Sequence, residues 1–186
     1  MSEENIVEFC APTLAGIKTA NLFACDYSDR SELTRDIRRV NGVLVKKGIK
    51  AIPVRYSNHR VLIYVYRLSL LKRDLCDKDT ADILSGLGYE VENASLCVVK
   101  LRKKLFCLKD SKGFPHEIGL FLGYPPEDVK GFIDHKGMCS KCIGCWKVYG
   151  DEKKATALFE KYKRCTAEYK RRYSEGAGLE GLAVAM

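Results

Sequence analysis

The chain has 186 residues, 46% of them apolar and 30% charged, with a formal net charge of +8. That length gives room for one well-buried core and falls short of two full domains. The composition is that of an ordinary globular protein, which excludes fibrous and disordered classes. No stretch approaches the roughly 20 consecutive apolar residues of a membrane span. The acidic start, Met1 to Asn5, lacks the apolar run of a secretory signal, so a cytoplasmic location without membrane contact is expected.

In chain order, residues 3–18 read as a short helix that Pro12 breaks or restarts. Leu22 to Asp26 is a short apolar run and predicts a strand. Residues Ser28 to Ser31 offer N-caps for a helix ending near Lys47. Its Leu33, Ile37, Val40 and Leu44 share one face, and Gly48 stands where a left-handed C-terminal cap belongs. The runs Ile52–Tyr56 and Val61–Tyr66, separated by Ser57 to Arg60, predict a hairpin. The second run is apolar on both faces and reads as a central strand, whereas Pro53 moves its partner toward an edge.

Two short helices follow, Leu68–Cys76 and Asp79–Leu87, the second closed by Gly88. A further helix opens at Asn93 or Ser95 and runs through about Leu108, with Leu96, Val99 and Phe106 among its apolar residues. Pro115 starts a helix through Leu122, and Pro125 another through Ile133. Proline in a first turn lacks only an N–H that had no partner, and the acids that follow suit the positive end of the dipole. Lys147 to Tyr149 reads as a short strand. After Gly150 and Asp151 comes a long helix with Leu158, Tyr162, Cys165, Tyr169 and Tyr173 along one stripe. The segment Gly176 to Gly181 is flexible by composition. The expected class is α+β: a single helix-rich domain over residues 1–175 around a small mixed or antiparallel sheet, followed by a C-terminal tail, 176–186.

Nine cysteines is a high count. The number is odd and no export signal is present, so a reducing compartment with free or metal-bound thiols fits better than a disulfide framework. Three of them, Cys139, Cys142 and Cys145, make two overlapping Cys-x-x-Cys spacings that run into Trp146-Lys-Val-Tyr149. Such spacing lets thiolates converge on zinc or an iron–sulfur cluster, each of which usually wants a fourth ligand. Cys165 is the first candidate, although it sits on an apolar helical stripe where cysteine behaves as a small hydrophobe. His135 and His116 are the alternatives. Cys142 and Cys145 could instead form a redox dithiol, or all three could be structural thiols of a tight loop.

His116-Glu117 is a weaker candidate for acid–base work. It is not the metalloprotease pattern, because Leu120 occupies the position of the second histidine. The plainer reading is a histidine packed at a helix start. The glycines around Gly16 and Gly123 lack the Lys-Ser/Thr of a phosphate loop. The tyrosine stripe at helical spacing reads as core. The basic residues are scattered over the polar faces of predicted helices, which suits a solvated surface better than a nucleic-acid footprint.

Four segments carry a family resemblance: Cys10 to Phe23; Ile63-Tyr-Val-Tyr-Arg67; Phe114-Pro-His-Glu-Ile-Gly-Leu-Phe-Leu-Gly-Tyr-Pro125 with Asp128 to Ile133; and Cys145-Trp-Lys-Val-Tyr149. Together they resemble domain-of-unknown-function family 3793, found in anaerobic low-GC Gram-positive bacteria. The resemblance spans nearly the whole chain and implies a small cytosolic bacterial protein, with no activity carried over. The tail Leu182 to Met186 resembles an apolar family C-terminus, which allows it to pack. The expected function is redox or metal-homeostasis work at a cysteine-ligated zinc or iron–sulfur site. The alternative is a non-enzymatic regulatory or binding protein using basic helices on nucleic acid or an acidic partner.

Overall fold

The computed structural model describes residues 1–107 and 113–186. Helix α1 (Glu3–Leu14) opens with a reciprocal capping box, in which Ser2 Oγ accepts from the Asn5 N–H and Asn5 Oδ1 accepts from the Ser2 N–H. Pro12 does not break it. The proline lies in the buried last turn, where its missing N–H removes one bond near the end of the helix, and α1 continues to Leu14. Strand β1 (Ala20–Asp26) leads to α2 (Arg30–Leu44), whose N-cap Asp29 accepts from the Ser31 and Glu32 N–H groups. Leu33, Ile37, Val40 and Leu44 are its buried residues, as the periodicity predicts. A 3-10 turn (Val45–Lys47) ends at Gly48, with φ of 74°, a conformation open to glycine at little cost.

Strands β2 (Ile49–Ser57) and β3 (Arg60–Arg67) form the expected antiparallel hairpin, with Ile52 opposite Tyr64 and Ala51 opposite Val65. Its two-residue turn, Asn58-His59, has positive φ at both positions, 37° and 62°, matching the primed turns whose twist suits hairpins. The sheet order is β1-β3-β2, so β3 is central and proline-bearing β2 is an edge. A bulge between Pro53 and Arg55 interrupts that edge. Where a further strand would pair, Asn41 of α2 substitutes: its Nδ2 donates to Ala51 O at 2.8 Å and its Oδ1 accepts from Ala51 N–H at 2.9 Å. Ile63 and Val65 are fully buried, and Tyr64 and Tyr66 stack on the opposite face at 4.9 Å.

Helices α3 (Leu68–Leu75), α4 (Lys78–Gly86) and α5 (Ala94–Phe106) follow. The last is capped by Asn93 and buries Ala94, Cys97, Val98, Leu101 and Leu105. Leu96, Val99 and Phe106 are exposed instead, because the buried stripe is offset around the helix from theirs. The predicted end of α5 at Leu108 lies outside the described residues. Helix α6 (Ile118–Phe121) is shorter than expected: Pro115 to Glu117 form a turn in which Pro115 O accepts from Ile118 N–H. Then come α7 (Pro126–Asp134), with Pro126 in its first turn, and a hairpin of β4 (Cys142–Ile143) and β5 (Lys147–Val148). Helices α8 (Glu152–Ser174) and α9 (Leu179–Leu182) complete the order. The class is α+β, as expected. Among the described residues, no helix is long and apolar enough to cross a membrane.

The chain divides into two compact units, one of residues 1–70 with 164–186 and one of residues 71–163. The core of the first joins Ile6, Leu14, Leu44, Ile63 and Val65 to Tyr169, Leu179 and Leu182. The segment after Gly176 is therefore no loose tail: Leu182 is fully buried and Val184 N–H donates to Leu14 O at 3.0 Å.

Arg67, at the end of β3, is wholly buried. Its guanidinium donates to Thr13 O and Leu14 O at 2.6 Å, Val184 O at 2.7 Å and Lys47 O at 3.1 Å. Burial lowers its pKa, yet arginine remains charged throughout the accessible pH range. Replacement by Met removes these bonds and leaves carbonyls facing an apolar side chain. Arg67→Met should lower unfolding stability by about 2–4 kcal/mol in urea titrations. Arg67→Lys should recover only part of the loss, since lysine has no planar fork. A neutral Arg67→Met would refute the bridging role.

Candidate ligand-binding site

In the second unit, Asp128 in the first turn of α7 is buried and accepts three hydrogen bonds. Oδ2 takes the Trp146 Nε1–H at 2.7 Å, and Oδ1 takes the Tyr149 and Gly150 N–H groups at 2.7 Å each. A charged acceptor suits this cluster of donors better than a neutral one. The approach of α7 is close: a Cβ on Gly131 would stand 2.5 Å from Tyr149 Cβ, so only glycine fits. Trp146 is held further by Tyr124, stacked at 4.7 Å, and Phe159, edge-on at 4.5 Å. Burial, with Cys145 and Tyr162 nearby, pushes the Tyr124 phenol up to about 12, so it keeps its proton at neutral pH. Its hydroxyl donates to Cys145 O at 3.4 Å.

This scaffold borders a cavity of about 450 Å³ with walls that include Phe114, Ile118, Val129, Phe132, Ile143 and Trp146. The size and aromatic lining are those of a small-molecule site. His116, Lys147 and Cys145 add the polar character. His116 is exposed, with its ring tilted against Phe132 at 4.8 Å. Lys147 Nζ donates to Gly137 O at 2.6 Å and lies 5.9 Å from the Phe132 ring centre. A second cavity of about 480 Å³ shares Phe114 and His116 with the first and reaches Lys104, Cys107 and Glu117.

His116 and Glu117 are neighbours in sequence with separate surroundings. Glu117 is buried, where Oε1 accepts from Tyr89 OH at 3.1 Å and pairs with Lys104 Nζ at 2.6 Å. Burial first, then the Glu117 charge, raises the Tyr89 pKa. Glu117 thus holds Tyr89 and Lys104, and His116 faces both cavities. The Pro-His-Glu block was visible in the sequence. Lys104 and Tyr89 carried no motif signal, whereas Asp128 and Lys147 lie in the family segments without a role attached to them.

The three motif cysteines occupy different settings. Cys139 is exposed with φ of 59°, the left-handed region that few side chains adopt. Desolvation first, then Cys139, raises the pKa of Tyr149, whose ring stacks on His135 at 5.7 Å. Cys142 is partly buried at the start of β4. Desolvation first, then the Glu152 carboxylate, raises its pKa, which disfavours the thiolate that a redox dithiol needs. Cys145 is exposed on the hairpin turn, beside the cavity. Cys165, the expected fourth ligand, packs partly buried against the core of the first unit. Among the described residues, no group of three or more His, Cys, Asp or Glu side chains is placed to hold a metal ion.

Two measurements test this geometry. Asp128→Asn turns a carboxylate oxygen into an amide donor or leaves Trp146 Nε1–H unmatched, and should cost about 2–4 kcal/mol with a red shift of the Trp146 emission. Alkylation at neutral pH should modify Cys139 and Cys145 well before Cys142, read by peptide mass spectrometry. Equal rates at all three would contradict the environments described.

No curated protein and no solved structure matches the chain. The model of the family described as protein of unknown function (DUF3793) matches residues 6–183, nearly the full length, and the chain belongs to that family.

Proposed function

We propose that the protein is a small-molecule-binding protein, acting in the cytoplasm, whose second unit takes a compact and largely apolar ligand beside Trp146. The observation that carries this is the cavity of about 450 Å³ with aromatic walls. Its shape depends on the buried Asp128 bonds to Trp146, Tyr149 and Gly150. Asp128 accepts three hydrogen bonds from Trp146, Tyr149 and Gly150, and its role in this reading is to hold the walls. A cytoplasmic setting keeps nine free cysteines reduced.

Trp146 is the only tryptophan in the chain, so its fluorescence reports on the cavity alone. Nitroaromatic compounds quench indole emission. Titration with 4-nitrotoluene should give saturable quenching, and Phe132→Ala should weaken it about tenfold with the circular dichroism unchanged. Linear, unsaturable quenching that is identical in both proteins would remove the proposal.

The exposure of Cys139 and Cys145 beside Cys142 supports a second reading, in which the loop rearranges to bind zinc or an iron–sulfur cluster for redox or metal-homeostasis work. Elemental analysis of anaerobically purified protein separates the two. Stoichiometric zinc or iron released by Cys142→Ser would place the metal reading first. A nucleic-acid role has less behind it in the last helix, where Arg171 bridges Glu168 and Glu175 and Lys170 pairs with Glu8. Retention on heparin should be weak and lost at modest salt.

A further inference from the structure

We infer that the outer face of α2, in the first unit, is a docking surface for an acidic helix of a partner protein. Helix α2 turns Leu33, Ile37, Val40 and Leu44 inward, and Gly42 stands on the opposite, exposed side. Arg35 lies seven positions before Gly42, Arg38 four before and Lys46 four after. At helical spacing the three cations and the glycine share one stripe. All three cations are exposed, and among the described residues no ion pair engages them, whereas Arg39 beside the stripe pairs with Asp36 at 3.5 Å.

Glycine inside a helix is less favourable than alanine, so its presence asks for a reason. Gly131 in α7 has one, since Tyr149 fills the space of a Cβ, and Gly119 in α6 is confined by Val129. A Cβ on Gly42 would meet nothing within 4 Å, so the fold itself does not demand the glycine. The helix dipole accounts for cations near a C-terminus, but not for a bare backbone position among them. Such a position lets a second backbone come close.

The cations set the sign of the partner, and the layout of charge along α2 sets its kind. From Arg35 to Lys46 the stripe spans about 16 Å, three turns of helix. A partner helix with carboxylates on successive turns can meet the three cations across the gap that Gly42 leaves. A nucleic-acid strand fits less well, because its phosphates continue along the surface. Beyond Arg35 they would meet Asp29 and Glu32 at the start of the helix.

The test is fluorescence anisotropy of the full chain with a fluorescein-labelled peptide, an alanine-based helix carrying glutamate at every fourth position. The peptide should bind saturably, with affinity that falls as salt is raised. Gly42→Leu should weaken binding about tenfold while raising the melting temperature by about 2–4 °C, since it improves the helix and blocks the approach. Arg38→Glu with Lys46→Glu should abolish binding. The same charge change at exposed positions of α8, Lys161→Glu with Lys163→Glu, should leave affinity within about twofold of the wild type. No binding by the wild type, binding unaffected by Gly42→Leu, or an equal loss in the α8 variant would each overturn the inference. So would displacement of the peptide by single-stranded DNA at a lower concentration of negative charge than the unlabelled peptide needs.

Discussion

The first unit is organised around a buried positive charge that has carbonyl groups for partners. Arg67 reaches the carbonyls of Thr13 and Leu14 at the end of α1, of Lys47 at the end of the turn after α2, and of Val184 after α9. The carbonyls at a helix C-terminus lack intrahelical partners and carry the negative end of the dipole. A guanidinium placed among them adds a charged donor to carbonyls of which Thr13 O and Leu14 O also accept the Gly16 and Val184 N–H groups, and is itself satisfied. The desolvation of an ion, ordinarily unfavourable, is offset by a set of bonds that an apolar side chain cannot make. The same contact fixes where the last residues lie. Leu182 and Ala183 are core residues, and the chain just after them is tied, through Val184, to Leu14 of α1 and Arg67 of β3.

Much of the first unit was legible from sequence, because its signals were local and agreed with one another. Helix α2 had an Asp cap, a single apolar face and a glycine stop, and the hairpin had a central strand apolar on both sides. Other features failed for identifiable reasons. Helix α5 carries two overlapping apolar stripes, and only packing decides that Cys97, Leu101 and Leu105 turn inward rather than Leu96, Val99 and Phe106. Strand β4 has only two residues, Cys142 and Ile143, and exists through its pairing with Lys147 and Val148. The glycine-rich tail read as flexible because the residue that captures it, Arg67, lies 117 positions away from Val184.

The candidate site shows a different limit. Cysteine spacing drew attention to Cys139, Cys142 and Cys145, yet spacing states only what a loop permits. Cys139 has a left-handed backbone and is exposed, whereas Cys142 is partly buried and paired in β4. The more informative residues were the glycines, acid and aromatics around them. Gly131, Asp128 and Trp146 look unremarkable individually, and their meaning lies in mutual contact: a close approach, a triply bonded carboxylate and a wall. Such residues leave no fixed spacing to search for, since α7 and β5 converge only in three dimensions.

The division of the chain has a consequence for its synthesis. Residues 71–163 form a contiguous stretch, and they leave the ribosome before the final residues of the first unit have been made. Strands β1 to β3 emerge earlier still, but the first unit needs Tyr169, Leu179 and Leu182 to complete its core. Arg67 must therefore wait, with only part of its carbonyl cage assembled, until Val184 is released. The oldest part of the nascent chain is the last to be finished, and during that interval its apolar sheet face depends on chaperones or on speed of elongation for protection.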